Sequence, residues 1–186
     1  MMLVTYTDQG VIKGCKSGPL AVLQEYEQDT ELDCLWSDTK VTSYTHYVAS
    51  GKIVEKGDRP SPDHVWSGTS WQFDLSVGKQ NKWSIIKEHR NDQEFGSFES
   101  LGHTFQCDEV SQRRIQGAVQ LAAIDSSMTL EWTLSDNSSQ LFTADEYIEI
   151  GQYLAAHVSE CHNRGRILRD QIDAATTEKD LEDIVW

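Results

Sequence analysis

Gly102–Asn163 reads GHTFQCDEVSQRRIQGAVQLAAIDSSMTLEWTLSDNSSQLFTADEYIEIGQYLAAHVSECHN. Its hydrophobic period changes twice, from helix to strand and back. Ile115, Ala118, Val119 and Ala122 fall at i, i+3, i+4 and i+7 and share one helical face. Asp108 stands where its carboxylate can cap that helix. Met128, Leu130, Trp132 and Leu134 then alternate with Thr129, Glu131 and Thr133, the pattern of a half-buried strand. Ser135-Asp136-Asn137-Ser138 supplies turn chemistry, and Gln140 to Phe142 pairs back as a hairpin. Thr143 and Glu146 make a T-x-x-E capping box, with Phe142 and Tyr147 placed as a hydrophobic staple. A second helix follows, its stripe running through Tyr147, Ile150, Leu154, Val158, Cys161, Leu168 and Ile172. Continued to Ala175 it is about 48 Å long at ~1.5 Å per residue. Gly165 weakens that run by roughly 1 kcal/mol relative to Ala, and Asn163-Arg164-Gly165 also suits a C-cap.

Around this stretch the chain is β-rich at its start. Leu3 to Thr7 and Val11 to Cys15 flank the turn Asp8-Gln9-Gly10, and Leu20 to Gln28 has the spacing of a short helix. Cys34 to Trp36 is a short apolar run, and Thr45–Val48 and Lys52–Glu55 flank Ala49-Ser50-Gly51 as a hairpin. Arg59-Pro60-Ser61-Pro62 marks a boundary, because each proline biases its predecessor to extended geometry. Trp66 and Trp71 then lie on either side of a tight turn, in a W-x-G-x-x-W unit. Gly78 to Phe95 is a polar helix with Trp83, Ile86 and Arg90 on one face, and Phe98 to Phe105 is a further small hairpin. Thr176 to Asp180 offers a fresh helix cap before Leu181, Ile184 and Val185. The pattern predicts an α+β fold in three parts: a β-rich module over 1–75, a connecting helix and hairpin over 76–101, and an α-rich module over 102–186. The expected core joins Ile115, Val119, Leu130, Trp132, Leu154 and Val158.

Composition narrows the function classes. The chain has 186 residues and a formal net charge of −14, from 16 Lys and Arg against 30 Asp and Glu. That charge argues against nucleic acid, whose recognition needs a basic stripe, and against an anionic membrane surface. It keeps the protein soluble by self-repulsion, or marks an acidic face for a basic partner. No segment approaches the ~20 apolar residues of a membrane span, and the N-terminus lacks the pattern of a signal peptide. Cys15, Cys34, Cys107 and Cys161 are widely spaced, as in reduced thiols of a cytoplasmic protein.

Catalytic motifs are missing: there is no G-x-S-x-G, P-loop, G-x-G-x-x-G, H-E-x-x-H or EF-hand loop. His103 with Cys107 and His157 with Cys161 have the residue types of a tetrahedral zinc site. The first pair straddles a strand-to-helix junction, however, and Cys161 sits on the apolar stripe as a small hydrophobe. The expectation is no metal, no cofactor and no catalysis. Glu131, His46 and His64 read as solvated or structural. A glycan hydrolase would require two carboxylates roughly 5 Å or ~6.5–9.5 Å apart in a cleft.

Many weak matches in order carry a resemblance: Phe105 and Asp108, Arg114-Ile115, Gly117-Ala118, Trp132 before Asp136, Thr143-Ala144, Gly151, and Ala155-Ala156-His157-Val158. From about Trp83 to Ile172 the chain resembles an α-rich domain without assigned activity. That domain is found at the C-terminal end of tail-fibre and tail-fibre-assembly proteins of tailed bacteriophages and prophages. The W-x-G-x-x-W unit after Thr45-His46-Tyr47-Val48 and Gly51 also resembles the N-terminal parts of phage tail-fibre-assembly proteins. The resemblance implies a setting, the virion tail or the host cytoplasm during assembly. It also implies a partner, a tail-fibre or baseplate protein. Within it, three roles are open: an assembly chaperone, a retained fibre subunit, or a structural tail or baseplate adaptor. The stripe from Cys161 to Ile172 lacks an obvious intramolecular cover in the sequence, so Leu168 and Ile172 are expected to contact another chain, either the fibre partner or a second copy. Trp66 and Trp71 are the other candidate contact residues, though a Trp pair packed across strands is the preferred account of each taken singly.

Overall fold

The computed structural model describes all residues, Met1–Trp186, and shows an α+β protein in two compact units, Met1–Gly78 and Lys79–Trp186.

The first unit is built from short antiparallel strands. β1 (Met2–Tyr6) lies between β2 (Ile12–Ser17) and β3 (Asp33–Ser37), with α1 (Leu20–Asp29) in the crossover between those two strands. Val4, Ile12, Val41 and Val48 form its buried centre. β4 (His46–Ala49) and β5 (Lys52–Glu55) pair as a hairpin, as do β6 (His64–Trp66) and β7 (Trp71–Phe73). Gly10 joins the first hairpin to β4: the Val48 N–H donates to its carbonyl at 2.9 Å. A Cβ on Gly10 would stand 2.0 Å from the Val48 carbonyl oxygen, so no other residue fits there.

α2 (Leu75–Glu94) crosses the boundary between the units, and its first turn is capped by Asp74, whose carboxylate accepts from the Ser76 and Val77 N–H groups. In the second unit β8 (Ser97–Ser100) and β9 (His103–Gln106) form a hairpin whose turn residues, Leu101 and Gly102, both have positive φ, at 52° and 74°. That backbone suits the twist of a two-residue turn. α3 (Glu109–Ile124) is capped by Asp108, which accepts from Val110 and Ser111. β10 (Thr129–Thr133) pairs with β11 (Ser139–Thr143). α4 (Ala144–Ala174) starts at the Thr143–Glu146 capping box, and α5 (Glu178–Glu182) starts at a second box formed by Thr177 and Asp180.

Phe105, Ile115, Phe142, Tyr147 and Ile150 are fully buried at the centre of this unit. Phe98 stacks on Phe105 at 5.3 Å, and Phe142 lies 5.9 Å from Tyr147, where the staple was expected. The core therefore includes the segment expected to act as a connector. Phe98 of β8 belongs to it, and the division between the two compact units falls between Gly78 and Lys79. Leu130 departs from the expected core: it is 36% exposed. The hairpin register sets it opposite Phe142 on one face. Phe142 fills the space against Phe105 and Tyr147, which leaves Leu130 at the margin.

α4 is one continuous helix through Gly165. Leu168 and Ile172, expected to meet another chain, are inside: Ile172 is 0% exposed and Leu168 7%. Their cover is intramolecular and comes from α2 and the C-terminal turn. Ile86 of α2, Ala175, Leu181 and Ile184 are buried with them. Lys79 donates to the Asp173 carbonyl at 2.8 Å and Lys82 to the Ile184 carbonyl at 3.1 Å. The Arg169 guanidinium lies 5.2 Å from the centre of the Trp83 ring. The sequence hid this because α2 is polar, and Ile86 is its one buried hydrophobic side chain.

Candidate interaction surface

α3 and α4 run antiparallel. Val119 meets Gly151 midway, while Cys107, just before α3, lies near Cys161. Gly151 sets how near the helices come: a Cβ there would sit 2.6 Å from Val119 Cγ2. One side of the pair faces the hairpins and the aromatic core. The other side holds a groove of about 730 Å³.

α3 gives the groove Gln112, Gln116, Val119 and Gln120. From α4 come Ile148, Gly151, Gln152 and Ala155, with Leu154, Val158 and Ser159 completing the floor and far end. Val119, Ile148 and Val158 are half-buried and rest on the core beneath. Gln112 is held in place by donating its amide to the Cys107 carbonyl at 3.0 Å, whereas Gln116, Gln120 and Gln152 are exposed. No lining residue is ionisable. The α4 portion, Ile148–Ser159, is about 17 Å long at ~1.5 Å per residue. The groove thus has the length of three helical turns, an apolar floor and amide walls. A shallower recess continues past Ile148 and Gln152 to Asp145, Glu149 and Tyr153, so carboxylates flank one end.

The residues singled out from the sequence lie elsewhere. Trp66 and Trp71 are paired across β6 and β7, ring centroids 5.3 Å apart and edge to face. Tyr47 packs on Trp66 at 4.9 Å, Lys56 and Arg59 lie over the two indoles, and Trp71 Nε1 donates to the Gly57 carbonyl. Both rings thereby tie one hairpin of the first unit to the other. His103 stands edge-on to Phe142 at 5.8 Å, and His157 Nε2 donates to the Gln93 carbonyl at 3.0 Å. No three of the His, Cys, Asp and Glu residues converge as metal ligands, and all four cysteines are free thiols. Burial pushes the Cys107 thiol up to about 11. It likewise raises Cys161, with nearby Glu94 adding to the shift. Neither is an activated nucleophile. Glu94 is buried, and its carboxylate lies 3.2 Å from His162 Nε2.

The groove was missed although a signal for it was present. Gln112, Gln116 and Gln120 recur every four residues along α3, beside the Ile115–Val119 stripe. Apolar periodicity alone does not register such an amide ridge.

Fold and groove together define an α+β protein with a neutral recess between two of its helices. The chain belongs to the family of the domain of unknown function DUF4376, whose model matches residues 78–185. That match begins at Gly78 and takes in all of the second unit but its last residue. No curated protein matches the chain, and no solved structure does. No helix is long and apolar enough to cross a membrane.

Proposed function

We propose that this chain is a bacteriophage tail-fibre-associated protein that works by binding other proteins. It acts in fibre assembly as a chaperone, or it remains in the tail as a subunit. The observation that carries the binding reading is the α3–α4 groove, which offers apolar contact and hydrogen-bonding amides without an acid, base or nucleophile. Such a surface packs against a polypeptide; it cannot transfer protons or attack a substrate. A glycan hydrolase needs two carboxylates across its cleft, and this groove has none. The tail setting rests on the resemblance from about Trp83 to Ile172, and the family match covers that whole region. A fibre in mid-assembly exposes apolar surface and unpaired strand edges, which a soluble binding protein can shield.

The test is co-purification. Expressed beside the tail genes of its own phage, the tagged chain should capture a fibre or baseplate protein. Mass spectrometry of purified particles then separates the roles: absence of the chain identifies an assembly factor, and a fixed copy number identifies a subunit. Failure to associate with any tail protein, in lysate and in particles, would overturn the proposal.

A further inference from the structure

The first unit holds a second surface, in which the α3–α4 groove plays no part. Resting on the reading of this chain as a protein that binds other proteins, we infer that the cleft between β3 and β5 takes an extended segment of a partner polypeptide. The segment is neutral or basic and pairs there as a β-strand.

In an antiparallel pair, opposed residues exchange both backbone hydrogen bonds or neither, in alternation along the strands. Val48 lies opposite Ile53 but spends its N–H on the Gly10 carbonyl, away from β5. The two therefore exchange neither bond, and Ile53 turns its own N–H and C=O away from β4. Glu55, two residues on, does the same. Lys56, next in the chain, donates inward to the Thr45 carbonyl at 2.9 Å, as the alternation requires. On the other side β3 is an edge strand paired with β1 alone, so every second residue of Asp33–Ser37 also presents its N–H and C=O outward. Ile53 and Glu55 from one strand, and Leu35, Trp36 and Ser37 from the other, line a common cleft of about 480 Å³. An extended polypeptide carries donors and acceptors at the repeat of both edges.

β3 has none of the usual guards of an exposed edge. Its register runs unbroken from Asp33 opposite Tyr6 to Ser37 opposite Met2, without a bulge, and it contains no Lys and no Pro. Leu35 and Ile53 rest on the same buried centre, that of Val4 and Val48. Side chains on one face of an incoming strand thus meet apolar surface, and those on the other face meet water. At the rim two carboxylates, Asp38 and Glu55, stand against one lysine, Lys52. In a chain of net charge −14 that rim favours a segment carrying Lys or Arg over an acidic one.

The probe is a blocked peptide of alternating valine and threonine with a lysine at each end, added to the full chain. Amide hydrogen exchange should slow at Ile53, at Glu55 and in β3, while the amides of α3 and α4 keep their rates. N-methylation of every second peptide residue blocks one edge of the probe and should abolish that protection. Glutamates in place of the terminal lysines should weaken binding. Glu55 is exposed, and proline is tolerated at an edge position whose N–H faces outward. Glu55→Pro deletes that donor, whereas Glu55→Ala keeps it. The proline variant should bind the peptide about fivefold more weakly than the alanine variant, the loss of roughly one hydrogen bond. The inference is overturned by exchange rates that the peptide leaves unchanged, by binding indifferent to N-methylation, or by a proline variant that binds like the alanine one. A wild type that dimerises in sedimentation, with β3 and β5 already protected in the absence of peptide, would overturn it in favour of a second copy. In any of those cases capture of a tail protein by the wild type would leave the functional proposal standing, and loss of both would remove both.

Discussion

At the residue scale the sharpest constraint in the second unit is Gly151. Two effects oppose each other in Gly151→Ala. Alanine favours the helix by ~1 kcal/mol, but its Cβ collides with Val119 Cγ2, and a β-branched side chain cannot rotate away freely. Overpacking of this kind costs about 1–3 kcal/mol, so a net loss is expected. The double variant Gly151→Ala with Val119→Ala removes the collision. Chemical denaturation should find it more stable than the two single losses summed, by roughly 0.5–2 kcal/mol. Strict additivity would mean that the helices are not in contact there. Cys107 gives a second residue-scale expectation. Burial raises its thiol from 9.0 to about 11, so the native state holds that proton more tightly than the unfolded chain. The resulting stability is present below pH 9 and is lost as pH climbs towards 11. At pH 8 Cys107 and Cys161 should resist a thiol reagent until the chain unfolds, and rapid labelling of either in the native protein would contradict their burial.

At the scale of elements, most of the second unit was legible in its sequence. The capping box at Thr143, the Asp108 cap and the alternation through Trp132 each depend on neighbours within a few residues, and each element formed where those signals stood. Leu130 was misplaced because which strand residue lies deepest depends on Phe105 and Tyr147, which come from other elements. The Leu168–Ile172 stripe was misjudged for a related reason, since its cover arrives from α2, about 80 residues earlier in the chain by the numbering of Ile86 and Leu168. The groove was invisible because it exists only once α3 and α4 are side by side. The correction carries its own expectation. Leu168→Glu with Ile172→Glu would bury two carboxylates without partners, a change well beyond the ordinary range of single-site losses. The far-ultraviolet signal of that variant should fall and its cooperative transition disappear. A folded, monomeric variant would return those residues to the surface.

For the whole molecule, the division at Gly78 and Lys79 leads to the expectation that the second unit folds by itself. A fragment from Asp74 to Trp186 retains the carboxylate that caps α2 and all of the second unit. It should show strong helical circular dichroism and a single thermal transition on its own. A molten fragment would show that the first unit is needed to complete it. α4 gives this unit a mechanical character. It spans about 47 Å at ~1.5 Å per residue. One half forms the floor of the groove, and the other half is clasped by α2 and the terminal turn. A load applied at the groove would therefore travel along a single helix without crossing a loop. Of the two glycines in that helix, Gly151 is braced by Val119, whereas at Gly165 the nearest side-chain atom is Arg90 Cδ, 3.4 Å from where a Cβ would lie. Glycine costs a helix ~1 kcal/mol relative to alanine, so tension along α4 is expected to open it at Gly165 before Gly151.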